Sequence, residues 1–141
     1  MTINEAQDQI VEEFALYDDW MDKYNYLIEL GSELGPLDNA FRNDKYLISG
    51  CQSRVWIAAE ENEGAITFQA DSDAIITKGL AALLIRVLSG HTAQEIHDAD
   101  LYFIDRIGMS ENLSPTRANG LVSMIKQMKL YALAYLSRKN D

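Results

Sequence analysis

Cysteine is all but absent, for Cys51 is the only thiol in 141 residues. One thiol forms no internal disulfide, and an unpaired cysteine persists best in a reducing compartment. Zinc and iron–sulfur sites need three or four soft or imidazole ligands. One cysteine with two histidines, His91 and His97, is too thin a set, and those histidines, set among carboxylates, are expected at the surface. Positive charge is scarce too. Twelve Lys and Arg stand against 22 Asp and Glu, a formal charge of −10, so most of this surface repels a nucleic-acid backbone. No apolar run approaches the ~18 residues of a membrane span, and the N-terminus has neither the basic nor the apolar region of a secretory signal. The expectation is a soluble, cytoplasmic protein with no nucleic-acid or membrane partner. Glycine-rich phosphate loops are missing, which leaves nucleotide binding without support. There is no internal repeat and no low-complexity segment.

What is present suits one domain spanning 1–141. Hydrophobic residues make up 48% and charged residues 24%, and a chain of this length buries about two thirds of its unfolded surface around one core. The acid gathers in residues 5–22, 60–63 and 95–105, which read as solubilising faces. The basic residues come late, at Lys126, Lys129, Arg138 and Lys139.

Ile10, Val11, Phe14 and Tyr17 among acids predict a surface helix over 4–16, and Trp20, Tyr24, Leu27, Ile28 and Leu30 predict a second, capped by Asp18 or Asp19 and ended by Gly35-Pro36. Three strands are expected: 46–48, 55–60 and 65–70, the last two joined as a hairpin with Ile66, Phe68 and Ala70 on one face. Asp71-Ser72-Asp73 offers caps to a core helix over 74–89, whose apolar face includes Ile75, Leu80, Leu84 and Leu88, and where Gly79 lets another backbone approach. Thr92-Ala-Gln-Glu95 matches a capping box, so a short helix begins there. Residues 100–107 fit strand or helix alike, and 108–113 read as turns. Ser114-Pro115 opens a last helix with Leu121, Met124, Ile125, Met128, Tyr131, Ala132, Tyr135 and Leu136 as its buried stripe. The count is five or six helices on a small antiparallel sheet of about three strands, an α+β fold.

Cys51 interrupts this pattern. A lone cysteine usually behaves as a small core hydrophobe, yet Gly50, Gln52 and Ser53 surround it and the apolar runs stop on either side. Both an inert buried cysteine and an accessible thiol at a loop tip fit. A Cys–His nucleophile would need a histidine brought there by the fold, and the neighbours of neither histidine single it out as a base. A thiol with no base, metal or cofactor of its own can still accept a group from another protein's activated sulfur. That favours a carrier over an enzyme.

Four segments carry a resemblance, in order across residues 10–136. They are Tyr24-x-Tyr26-Leu-Ile-Glu-Leu-Gly31; Gly50-Cys-Gln-Ser-x-Val-Trp-Ile57; Asp71-Ser-Asp-Ala74 with Lys78-Gly-Leu80; and Leu113-Ser-Pro-Thr-Arg117 with Gly120-Leu121. Together they resemble the SufE family of sulfur acceptor proteins. The resemblance implies an α+β domain like the IscU-type iron–sulfur scaffolds, and a partner cysteine desulfurase of the SufS or CsdA type. The pyridoxal phosphate belongs to that partner, so no cofactor is expected here. Cys51 would take sulfur as a persulfide, stimulate the desulfurase and pass the sulfur to an iron–sulfur scaffold complex. With one cysteine the chain fits a carrier better than a scaffold. A Csd-type paralogue and a structural adaptor with an inert Cys51 are the alternatives.

The resemblance also implies that Gly50, Gln52 and Ser53 form a loop protected at rest yet able to extend into a partner, and that Asp73 and Arg117 lie near this loop and the partner surface. Asp73 would otherwise be an ordinary helix-start charge and Arg117 a solvated side chain, although a cation in a helix's first turn is electrostatically disfavoured. Arg54, three residues from Cys51 along an extended strand, falls on the opposite face and is not expected to activate the thiol. The isolated protein should then have an ordinary thiol, activated only by its partner.

Overall fold

The computed structural model describes the backbone of residues 1–139 and side chains as far as Arg138. Residues 140–141 and the side chain of Lys139, the last of the basic group, lie outside the described residues.

Helix α1 (Ile3–Phe14) begins on a capping box absent from the sequence reading: Thr2 Oγ1 accepts from the Glu5 amide at 3.0 Å and the Glu5 carboxylate accepts from the Thr2 amide at 3.1 Å. Its face of Ile3, Ala6, Ile10 and Phe14 is buried. Gln7, fully buried beside them, donates to the carbonyl of Asp100 and accepts from the amide of Phe103, so it secures the chain a hundred residues later without an unpaired polar group. Helix α2 (Trp20–Ser32) is capped by Asp19, whose carboxylate accepts from the Asp22 amide at 2.9 Å.

Helix α3 (Ile75–Leu88) crosses α2 at close quarters. A Cβ on Gly79 would stand 2.4 Å from the Leu27 carbonyl oxygen, and one on Gly31 would stand 2.7 Å from the Gly79 amide nitrogen. Gly31 is thus a contact residue and not a helix terminus. Leu80, Leu84 and Leu88 are buried as expected, but Ile75 is 63% exposed, because the helix starts there and its first side chain clears the neighbouring elements.

Strands β1 (Val55–Asn62) and β2 (Ala65–Ser72) form the expected hairpin, in register from Val55–Ser72 to Asn62–Ala65. Glu63 and Gly64 both have positive φ, the two-residue turn whose twist matches the flanking strands. Ile66, Phe68 and Ala70 face the core. The third strand is not where the sequence puts it. Residues 44–46 form a 3₁₀ turn in which the Asn43 side chain accepts from the Lys45 amide, a local bond that outcompetes a ladder. Leu47 makes only an isolated bridge to Trp56, and β3 (His91–Thr92) instead pairs with Ala65 and Ile66.

Thr92 and Glu95 make the expected capping box at the start of α4 (Ala93–Asp98). The ambiguous stretch resolves into α5 (Phe103–Arg106) and the expected turns into α6 (Met109–Asn112), each about one turn long, with Gly108 in the left-handed region between them. Ser114 accepts from the Arg117 amide at the start of α7 (Pro115–Lys139). These two short helices take the total to seven among the described residues, in an α+β fold whose sheet order is β1-β2-β3. Helix α7 also guards the free edge of β1, where Tyr131 and Tyr135 hydroxyls donate to the carbonyls of Ile57 and Ala59.

Candidate functional site: the Cys51 cleft

The chain enters the site through Ile48, whose amide donates to the Val55 carbonyl at 2.8 Å, and leaves it along β1. Between these two residues lies a loop closed at its base. Gly50 is required there twice over: its φ of 89° is left-handed, and a Cβ would stand 2.7 Å from Ser123 Oγ of α7. The next residue turns inward. Cys51 is half-buried, with Sγ 3.8 Å from the Gly120 carbonyl to which the thiol points, while Gln52 is exposed and Ser53 half-buried.

The far end of the loop is held at Arg54. Its amide donates to Asp73 Oδ1 at 3.0 Å, and its carbonyl accepts from the Asp73 amide at 3.2 Å and from Ser72 Oγ at 2.9 Å. Its guanidinium lies 3.3 Å from Asp73 Oδ2 and over the Trp56 ring. This corrects the capping assignment for 71–73. Helix α3 has Ala74 at its N-cap and no side-chain bond from that residue. Asp73 faces back to the loop, Asp71 pairs with Arg42 and Lys78 while accepting from the Ser72 amide, and Ser72 Oγ accepts from the Ala74 amide. The demand of Arg54 for a partner decides this, and Arg54 is 19 residues away in sequence.

The thiol opens on a cleft of about 480 Å³. Cys51, Gln52 and Ser53 line one side, and Thr77 of α3 with Thr116, Arg117 and Gly120 of α7 line the other. Of the six residues singled out from sequence, four therefore share the cleft. Gly50 backs onto Ser123 and Asp73 acts from behind, through Arg54. Thr77, Thr116 and Gly120 were not proposed as site residues. Gly120 lay within a family-like segment, and Thr77 shows as a polar residue amid an apolar helix face.

Electrostatically the cleft is plain. Burial pushes the Cys51 thiol above its ordinary pKa, with no cation or hydrogen-bond donor pulling it down. Among the described residues Arg117 is the one other ionisable side chain lining the cleft, and neither histidine does so. His97 is exposed beside Asp98, and His91 sits in β3. The Cys–His reading thus has no base here.

The SufE model, an Fe–S metabolism associated domain, matches residues 8–132, a span that holds all four family-like segments. The chain belongs to the SufE family. An uncharacterized SufE-like protein of Rhizobium meliloti is 41% identical over 127 residues, covering 86% of this chain and 91% of that one. Another from Rhizobium etli is 40% identical over 127 residues and covers 86% of each. The solution structure of a hypothetical protein from Thermus thermophilus superposes with a TM-score of 0.78 at 19% identity, over 94% of this chain and 96% of that one. That likeness establishes the fold. In this SufE-family chain no described helix is long and apolar enough to cross a membrane.

Proposed function

We propose that this SufE-family protein is a cytoplasmic sulfur carrier that takes persulfide sulfur from a pyridoxal-phosphate-dependent cysteine desulfurase onto Cys51. The observation that carries the reading is a thiol on a loop tied by the backbone at its two ends, facing a cleft whose lining, among the described residues, has no carboxylate and no imidazole. Such a cleft supplies no general base or acid for turnover of its own, whereas group transfer between sulfurs requires only that a thiolate reach another sulfur.

In the transfer, the Cys51 thiolate attacks the outer sulfur of a desulfurase Cys–S–SH. A new S–S bond forms at Cys51 and the old one breaks. The desulfurase cysteine leaves as a thiolate and takes up the proton that Cys51 released, so the exchange needs no outside oxidant or reductant. The same exchange with a thiol of an iron–sulfur scaffold complex unloads the carrier. Because the resting thiol is held in its protonated form, its activation falls to the desulfurase. Arg117, exposed at the cleft mouth, would meet a carboxylate of that partner.

The test is Cys51→Ser with SufS-type and CsdA-type desulfurases. The native chain should accelerate alanine release from cysteine by at least one of them, and should gain the mass of one sulfur atom at Cys51. The serine variant should do neither while keeping its thermal midpoint. Full stimulation by the serine variant would show that the carrier reading is wrong.

A further inference from the structure

Charge is segregated along this chain, and the segregation has a second consequence. Helix α7 carries Arg117, Lys126, Lys129, Arg138 and Lys139, five of the twelve basic residues, and none of the 22 acids. Its outer side also exposes Val122 (63%), Leu130 (47%) and Leu133 (45%), three of the eight large apolar side chains that stand exposed among the described residues. At 100° per residue, Val122, Lys126, Lys129, Leu130 and Leu133 fall within an arc of about 100°, whereas Leu121, Met124, Met128 and Ala132 occupy the buried side.

Lys129 is fixed on this stripe by donating at the C-terminal end of α4 to the carbonyls of Ala99, at 2.5 Å, and His97, at 3.4 Å. Beside it lies a shallow cleft of about 240 Å³ that Lys126, Leu130 and Leu133 also line. Lys126 is exposed and has no hydrogen-bond or ion-pair partner among the described residues, in a protein with nearly twice as many acids as bases. From Val122 to Leu133 the stripe runs roughly 16 Å, three turns of helix.

We propose that this stripe docks an acidic amphipathic helix of a partner protein, about three turns long, with carboxylates on Lys126 and Lys129 and apolar side chains over Val122, Leu130 and Leu133. Charge complementarity selects that occupant. A second copy related by two-fold symmetry about the stripe would set lysines against lysines. A bilayer or nucleic acid, anionic over a wide area, would meet the acids of a chain with a net charge of −10 as well as the few lysines of α7. The Cys51 cleft meets α7 near its start, through Thr116, Arg117 and Gly120, on another side of the helix. The two surfaces can therefore be occupied together, and the docking stands whether or not Cys51 carries sulfur.

The experiment places the photo-crosslinker benzoylphenylalanine at Leu133 in the full chain, irradiates cells that express it, and sequences the crosslinked peptide. The expected peptide comes from a different protein and carries spaced carboxylates on one side of a three-turn apolar pattern. Lys126→Glu should cut the crosslink yield about tenfold and Lys126→Gln about threefold. Neither should alter the thermal midpoint or the alkylation rate of Cys51. A synthetic copy of the peptide should bind the purified chain less tightly as salt rises. Crosslinks to a second copy, to lipid, to nucleic acid or to an uncharged or basic segment would overturn the proposal, as would no crosslink or a yield indifferent to Lys126.

Discussion

Where α2 crosses α3, main-chain atoms of the two helices touch and no space remains for a single carbon. The loop of Cys51 is built the other way, tied by the Ile48 amide at one end and by Arg54 at the other, with a sulfur contact of 3.8 Å between them. Both depend on glycine, but for opposite purposes. Gly31 and Gly79 remove side chains so that two helices lock, whereas Gly50 permits the backbone turn that sets the Cys51 thiol into the cleft. The contrast sets a tightly packed crossing beneath the site against a sparsely bonded loop within it, an arrangement that fits the proposed carrier role.

The largest way to break this contrast is to fill the helix crossing. Gly79→Val would place a branched side chain where even a Cβ lies 2.4 Å from the Leu27 carbonyl oxygen. The helices must part, at a cost of about 3 kcal/mol or more, a large share of a typical domain's stability. Chemical denaturation should show a much lower midpoint or no folded baseline. An unchanged midpoint would mean that the crossing is looser than its interatomic distances.

A smaller effect on stability and a larger one on reactivity should follow from Asp73→Ala. The side chains of Arg54 and Asp73 are largely exposed, 68% and 44%, so losing their ion pair costs at most about 1 kcal/mol. The same change also frees the Arg54 amide and loosens the anchored end of the loop. Alkylation of Cys51 by a small electrophile at neutral pH should then quicken several-fold with little shift in thermal midpoint. Equal rates in variant and parent would show that Asp73 does not restrain the loop.

Elements complete within a few residues were the most legible in sequence, because local rules built them. Thr92 with Glu95, Ser114 with Pro115, and the alternation of Ile66, Phe68 and Ala70 each describe a structure complete within a few residues. Gly79 announced a close approach, but the atom approached, the carbonyl oxygen of Leu27, belongs to a helix some fifty residues earlier. Misreadings arose where distant partners decide. Asp73 looked like a helix cap until Arg54 claimed it, and the two residues of β3 are too few to show a period of two. Composition alone left Cys51 open between core and loop. The family-like segments pointed to it, to Arg117 and to the stretch that holds Gly120, while Thr77 enters the cleft only through the packing of α3 against α7.

The smallest expected effect concerns the thiol itself. Burial raises the pKa of Cys51 above its ordinary value, with no opposing cation. Its alkylation rate in the isolated protein should therefore reach half its maximum at a pH above that of a free cysteine, ~8.5. The stability linked to the shift has a definite sign. With a folded pKa above the unfolded one, the neutral thiol's contribution is complete below the unfolded value and is lost as pH rises through the folded value. Native chain and Cys51→Ser should thus differ by a constant amount at neutral and acidic pH, and the native chain should lose ground only in the alkaline range. On the proposed carrier role, adding a desulfurase whose own catalytic cysteine is replaced should move the alkylation midpoint down, because the partner would bring the activating groups that this cleft lacks. A midpoint at or below that of free cysteine in the isolated chain, unmoved by the partner, would place the activating group within this protein and end the contrast between a sheltering loop and an activating partner.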